Sequence, residues 1–383
     1  MQAYPFRDGG FERWIGARLA VVGAGMLGAR LCEEAVLAGA NVIVFDPDVG
    51  ELANLGNQTC RPGRFKVDVV KQRCDAIRPG HLTAIPCDVR HANLRWLRGC
   101  TVWFDCTDDP NLAWPLTELS NGFDRVMFRC AVDGSGQTEI GRVLCSAGGS
   151  GHACQCCSYD PQDLFRSHRR TPCPGQSGPE SPPTLAGGAL AAGTAGLALS
   201  LAQRTIVGKD TDRILGHEFI LDWTGFQMLH LRLPRAEGCL TGHRQWETMD
   251  LDVDDASGTL SEVFAAAEHA IGGSEIELET YLHPWNVQAS CQCGAVACAV
   301  GTDWAVPPRC PKCSNRMQWL KEIQVAKATR EQAASWGILA NSLETLGVPR
   351  GAMFVARAGG HAARRLLLRW PKEGSQAQEG RRT

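Results

Sequence analysis

The stretch Leu19-Ala-Val-Val-Gly-Ala-Gly-Met-Leu-Gly28 decides the fold. Its four apolar residues read as a buried strand, and glycines at 23, 25 and 28 follow at once. Residues 29–37 then have the composition of a helix start. This is the strand–Gly-x-Gly-x-x-Gly–helix order of a nucleotide-binding βαβ unit. The first glycine allows the tight turn, the second lets the backbone approach a phosphate, and the third lets helix and strand pack closely. The helix N-terminus offers N–H groups and a partial positive charge to an anion. Asp46 ends the next apolar run, 18 residues beyond Gly28, where a carboxylate can accept ribose hydroxyls. Taken alone, the motif predicts a nucleotide without naming it.

Working outward, residues 1–150 alternate strand-like and helix-like segments, the pattern of a parallel sheet with helices on both faces. Strands are expected at 18–23, 41–46, 82–86, 101–106, 125–131 and 138–145, and helices at 25–38, 66–77, 91–97 and 111–121. Residues 166–184, within a crossover loop at 158–184, are dense in Pro, Gly, Ser and Arg and read as a long mobile loop, of a length that is functional or disordered. Leu185 to Ala202 is almost wholly Leu, Ala, Gly, Ser and Thr. Its length suits a bilayer, but it lacks the bulk that drives insertion, so a buried core helix is expected. A hairpin at 217–223 and 226–233 completes this region.

A second, smaller α/β unit is expected from about 245: a strand at 246–253, a helix at 260–271 opened by the capping box Thr259-x-x-Glu262, and a strand at 275–282. A cysteine-rich segment, a long helix at about 317–346 and a hairpin at 351–357 and 364–370 follow, with a disordered tail from about 371. The boundaries drawn are 1–244 and 245–383, with 289–316 as a zinc ribbon. The fold class is therefore α/β, a Rossmann-like, mostly parallel sheet with an accessory α/β domain carrying a zinc ribbon.

The chain has 383 residues, a net charge of −2 and 18 cysteines. The balanced charge supplies no field for nucleic acid or an anionic membrane. The N-terminus has no apolar signal core, so a cytoplasmic protein is expected, and there paired cysteines point to metal rather than disulfides. Cys291-x-Cys293, then sixteen residues, then Cys310-Pro-Lys-Cys313, has the form of a zinc ribbon with a closed, structural site. Cys154-x-x-Cys157 offers a second pair, and Cys239-x-x-x-His243 can supply the other two ligands, with His152 and Cys156 as alternatives. The strand at 101–106 runs into Asp105-Cys-Thr-Asp108-Asp109. Carboxylates beyond a strand end, facing a Gly-rich loop, suit Mg²⁺ held against a triphosphate. The competing role for Asp108 is to cap the helix that starts near Asn111.

In one order over residues 5–245 the chain carries Gly23-x-Gly25-x-x-Gly28, Asp46-x-Asp48, Asn54-Leu-x-x-Gln58, Lys66, Asp105-x-Thr-Asp108, Cys154-x-x-Cys157 and Cys239/His243. That order resembles the superfamily of ubiquitin-activating enzymes and the ThiF/MoeB-like adenylyltransferases of thiamine and molybdopterin biosynthesis. The resemblance implies ATP and Mg²⁺ as cofactors and adenylation of the C-terminal glycine carboxylate of a β-grasp, ubiquitin-like or sulfur-carrier protein, often followed by transfer to a cysteine. It implies that Asp46 holds the ribose, that Asn54 and Lys66 hold the phosphates, that Asp48 and Gln58 also belong to the nucleotide site, and that Asp108 binds Mg²⁺. It also implies that the dispersed Cys154/Cys157/Cys239/His243 set holds zinc, for two zinc ions in all.

Cys173, in Arg169-Arg-Thr-Pro-Cys-Pro, is the candidate transfer nucleophile, since neighbouring arginines favour a thiolate. Arg7, with Arg13 as the other choice, answers to an N-terminal arginine that reaches the partner's ATP in family dimers. Two departures stand out: His243 replaces a cysteine, and Asn57 stands where the family has a phosphate-contacting arginine, which Arg61 or Arg64 can replace. A homodimer is implied, with the accessory domain docking the carrier or a conjugating-enzyme-like protein of a bacterial-type ubiquitin-like pathway. The competing readings are an NAD-dependent oxidoreductase on the same Gly-rich turn and a catalytically inactive scaffold of the same fold.

Overall fold

In the computed structural model, which describes residues 9–134, 137–149, 151–158, 186–255, 257–272, 275–359 and 363–369, the opening stretch forms β1 (Arg18–Val22) and α2 (Met26–Leu37), preceded by α1 (Gly10–Ile15). The elements β2 (Asn41–Phe45), α3 (Lys66–Ile77), β3 (Leu82–Ile85), α4 (Leu94–Arg98), β4 (Val102–Asp105), α5 (Ala113–Gly122), β5 (Val126–Gly134) and β6 (Glu139–Ala147) follow. Then come α6 (Gly188–Ile206), α7 (Thr211–Ile214), β7 (His217–Asp222) and β8 (Gln227–Arg232).

These strands make one eight-stranded sheet in the order β3-β2-β1-β4-β5-β6-β7-β8. From β3 to β5 every neighbour is parallel, and from β5 to β8 every neighbour is antiparallel. The chain leaves β1 for β2 on one side and later returns for β4 on the other. The β1/β4 boundary is thus a topological switch point, where α/β sheets bind ligands beyond the strand carboxyl ends.

The apolar helix α6 sits in this unit's core. Leu190, Ala191, Ala195, Ala198, Leu199 and Ala202 are buried with α2, β5 and β6. Gly141 of β6 makes the approach possible, since a Cβ there would collide with the Thr194 hydroxyl. Thr194 satisfies that hydroxyl by donating to the Leu190 carbonyl at 2.8 Å. Among the described residues no helix is long and apolar enough to cross a membrane.

The chain divides into two compact units, residues 1–89 with 96–245 and residues 90–95 with 246–383. In the second, β9 (Thr248–Asp254), α8 (Leu260–Ile271), β10 (Ile276–Thr280), β11 (Trp285–Ser290), β12 (Val296–Gly301), β13 (Gln318–Trp319), β14 (Gln324–Val325), β15 (Lys327–Thr329), α9 (Arg330–Ser335), β16 (Met353–Ala358) and β17 (Arg364–Arg369) form two sheets. One has the order β15-β10-β16-β17-β9, with α8 over its apolar face. The other gathers β12, β13 and β14 around β11. Residues 90–95, read from sequence as part of a helix of the first domain, cluster here. Arg95 donates to the Leu368 carbonyl at 2.7 Å and pairs with Asp250 at 3.1 Å.

The long helix expected at about 317–346 does not form. Its first part is split into short strands, two of which complete the sheet around β11. A helix begins only at Arg330, where Thr329 and Gln332 make a capping box, and Gly337, at φ +70°, lies just beyond its end. Edge pairing with β11 outweighs helix propensity here.

Candidate functional site

The Gly-rich turn is built as its glycines require. Gly23 has φ +93°, and a Cβ there would lie 2.9 Å from the Cys106 carbonyl oxygen. At Gly28 a Cβ would strike the Gly23 carbonyl. Gly25 has nothing within 4 Å of its Cβ position and is the N-cap of α2 without a side-chain cap. The first turn of α2 therefore carries no side-chain cap and leaves room at Gly25, as an anion cradle requires.

Asp46 pins this turn. Its Oδ2 accepts the Ala24 N–H at 2.6 Å, and its Oδ1 accepts the Asp48 N–H at 2.8 Å. Burial, and secondarily the charge of Asp48, push its carboxyl up to about 6. Beside it, the buried Lys66 ammonium meets Asp48 Oδ2 at 2.9 Å, while half of Asp48 stays exposed. Lys66 is the first residue of α3, and its N–H donates to the Asp48 carbonyl, so α3 aims the ammonium at this edge.

Asn54 is buried in a 3₁₀ turn, its Oδ1 accepting the Glu51 N–H at 3.1 Å. The buried side-chain oxygens of Asn57 and Gln58 in the same turn accept no hydrogen bond. Arg61 and Arg64 flank a turn whose backbone closes on Gly50, through Gly63 N–H to Gly50 O at 3.0 Å and Gly50 N–H to Arg64 O at 2.8 Å. Both arginines are exposed next to the Asp48–Lys66 wall. Arg13 lies instead against Gly208. Arg7 and Cys173, with Arg169 and Arg170, lie outside the described residues.

The loop after β4 settles which acid caps the next helix. Asp109 accepts the Asn111 N–H at 2.9 Å and is the N-cap. The competing role for Asp108 is thereby corrected: the following residue does the capping, because a proline at N1 fixes the helix start one position later. Asp108 is exposed on the loop that Gly23 touches. Asp105 is fully buried; its Oδ1 takes the Thr107 N–H and hydroxyl at 3.1 and 2.7 Å and holds the loop's bend. Its Oδ2 accepts no hydrogen bond and stands 3.7 Å from the Arg129 guanidinium. Arg129 was not singled out from sequence. The parallel register puts it directly beside Asp105, and a lone cation in an otherwise apolar strand was the available signal.

The residues fit a metal-bound nucleotide. The N-terminus of α2 without a side-chain cap, a buried ammonium and the exposed Asp108 carboxylate stand on adjacent loops beyond the strand ends, and the Asp105 oxygen that accepts no hydrogen bond is an acceptor of the type Mg²⁺ takes.

The two cysteine sets are assembled as ligand sets. Cys154, Cys157, Cys239 and His243 bring their ligand atoms within 4.8 Å of one another, as do Cys291, Cys293, Cys310 and Cys313. Sulfur separations are 4.0 and 3.5 Å in the first and 3.5 Å twice in the second, close to the roughly 3.8 Å edge of a tetrahedron with 2.3 Å zinc–sulfur bonds. In the first, Gly242 at φ +59° and His243 at φ +51° curl the chain so that Nε2 reaches Cys157 Sγ at 3.1 Å. A left-handed histidine costs about 1 kcal/mol and persists where its surroundings demand it. Burial, with the Arg235 charge, lowers the His243 pKa and keeps the imidazole in its ligand form. Cys156 and His152 stand outside the set.

Among solved structures the chain is similar in fold to E. coli MccB with succinimide (15% identity, 61% of this chain and 68% of that one, TM-score 0.48) and E. coli MccB with ATP (14%, 61% and 68%, TM-score 0.47). It is also similar to PaaA (18%, 59% and 75%, TM-score 0.47). Curated proteins give no match. The model of the ThiF family matches residues 1–241, which hold the Gly-rich turn, the Asp46–Lys66 wall, the Asp105–Asp108 loop and the Cys154 pair: the chain belongs to the ThiF family.

Proposed function

We propose that this protein adenylates a carboxylate with ATP and Mg²⁺, that the carboxylate is the C-terminal glycine of a ubiquitin-like or sulfur-carrier β-grasp protein, and that the acyl group then passes to Cys173. The observation that carries the adenylation is the Asp105–Asp108 loop standing against the Gly23 turn at the sheet's switch point, with Asp109 rather than Asp108 as the helix cap. A nicotinamide site gains nothing from carboxylates there. Family membership supports the same chemistry.

In this reading Asp46 and Asp48 receive the ribose, the α2 N-terminus, Lys66, Asn54 and Gln58 receive the phosphates, and Arg61 or Arg64 replaces the arginine absent at Asn57. Asp108 would hold Mg²⁺, which would supply positive charge against the triphosphate. A carboxylate oxygen attacks the α-phosphorus, the bond to the bridging oxygen breaks and pyrophosphate leaves. Catalysis is positioning and charge neutralisation. The Cys173 thiolate then attacks the acyl carbon, the C–O bond to phosphate breaks and AMP leaves. The two cysteine sets would hold two zinc ions, Arg7 reaches a partner's ATP in a homodimer, and residues 245–383 dock the carrier or a conjugating enzyme.

Two outcomes test the details. Cys173→Ala should abolish a thiol-sensitive carrier adduct yet spare ATP–pyrophosphate exchange; an unchanged adduct assigns the transfer elsewhere. For Asp46, ribose hydroxyls donate to the ionised carboxylate, so ATP affinity should rise as pH climbs through about 6. The rise approaches tenfold per pH unit below that value. Dividing by the profile of Asp46→Asn removes the titration of ATP itself, and a flat ratio would contradict the contact. Folding stability runs the other way. The folded pKa lies above the unfolded one, so the folded state holds the extra proton between pH 3.8 and about 6 and loses stability as pH rises through that window.

A further inference from the structure

We propose a second oxyanion site, remote from the nucleotide turn, in the cleft lined by Arg232, Arg235 and His152. Strand β8 ends at Arg232, and Pro234 lacks the N–H to continue the ladder, so the chain turns out of the sheet after Leu233 donates to the Gly216 carbonyl at 2.9 Å. Gly216 is left-handed, at φ +74°, and a Cβ there would lie 3.0 Å from the His152 Cβ and 3.1 Å from the Ala153 nitrogen. The 151–153 loop therefore seats against the backbone before β7, and a cavity of about 330 Å³ opens between that loop and the β8 exit.

Register places the cavity on the opposite sheet edge from Gly23. Gly216 continues past the His217–Cys145 rung toward Ala147, which faces Val126 at the start of β5. Asp105 marks the other end of the neighbouring strand.

Among the described residues, the charge lining this cleft is of one sign. The lining residues include two arginines and a histidine and no carboxylate. Among the described residues neither arginine forms a salt bridge. Behind them His217 is held below its ordinary pKa, first by burial and then by the positive charges of His230, Arg232 and His152. Guanidinium forks matched to a small concave volume select oxyanions, which they bind in two-toothed fashion. The size lies at the small end of ligand pockets, that of a phosphate, a pyrophosphate or the terminal residue of a peptide presenting its carboxylate.

The test is arginine footprinting of the full chain with phenylglyoxal, read by peptide mass spectrometry, with exposed Arg316 as the reference. Inorganic phosphate should protect Arg232 and Arg235 together and saturably, with an apparent Kd of about 1 mM or tighter. Arg235→Ala should weaken protection of Arg232 about tenfold. A short peptide with a free C-terminus, set against its C-terminal amide, separates the sources: stronger protection by the free acid assigns a peptide carboxylate, and stronger protection by phosphate assigns a free anion. Protection no greater than that of Arg316, or matched by chloride at equal ionic strength, would overturn the site. ATP does not enter the measurement, so the outcome is independent of the adenylation reading.

Discussion

Asp108→Ala is expected to lower carrier-dependent ATP–pyrophosphate exchange by about 100–1000-fold, the scale seen when one electrostatic stabiliser is removed from a preorganised site. The fold should stay intact, because Asp108 does not cap the following helix; Asp109 does, through Asn111. Thermal stability is therefore the internal control. An exposed acid on a loop whose bend is held by Asp105 and Thr107 can be lost with little change in melting temperature. Asp109→Ala should behave in the opposite way, costing about 1 kcal/mol of stability. Undiminished exchange in Asp108→Ala would remove the metal role from this residue.

The second large effect concerns zinc. The ribbon's own core comprises Ala289, Cys291, Ala295, Cys310 and Met317, two of which are ligand cysteines. Three buried apolar side chains, with the partly buried Ala297 and Trp319 packed against them, are too few to offset the ordering of that segment, whereas a structural zinc supplies roughly 10–16 kcal/mol in isolated finger peptides. Cys310→Ser is expected to bring metal content from near two zincs per chain to near one. It should also open residues 289–316 to proteolysis while the first unit stays folded. Cys239→Ser should remove the other ion. A wild-type content of one zinc would retire the Cys154/Cys157/Cys239/His243 site.

Much of this was legible in the sequence, for identifiable reasons. The β1–α2 turn is a local device: its glycines are needed for contacts within a few residues and with one neighbouring strand, so spacing alone reveals them. The first cysteine set spans residues 154–243, yet its two close pairs are local too, and only their closure needed the fold. What the chain order hid was non-local. The Asp105–Arg129 pairing depends on strand register. The capping acid, by contrast, was a local matter that Pro110 at the first helical position marks. The segment at 317–346 has helical composition, but its first residues are drawn into pairing with β11, which propensity cannot foresee. The edge reversal from parallel to antiparallel at β6 likewise leaves no mark in an apolar run.

The measurement that bears most directly on the central claim is ATP–pyrophosphate exchange by the purified full chain with Mg²⁺. The probe is a β-grasp protein encoded beside it that ends in a free glycine carboxylate, and NADH binding is measured in parallel. The account predicts exchange that requires both Mg²⁺ and the free carboxylate, with no competition by NADH. Binding of NADH at the Gly23 turn, with no ATP·Mg²⁺ binding and no exchange, would contradict it.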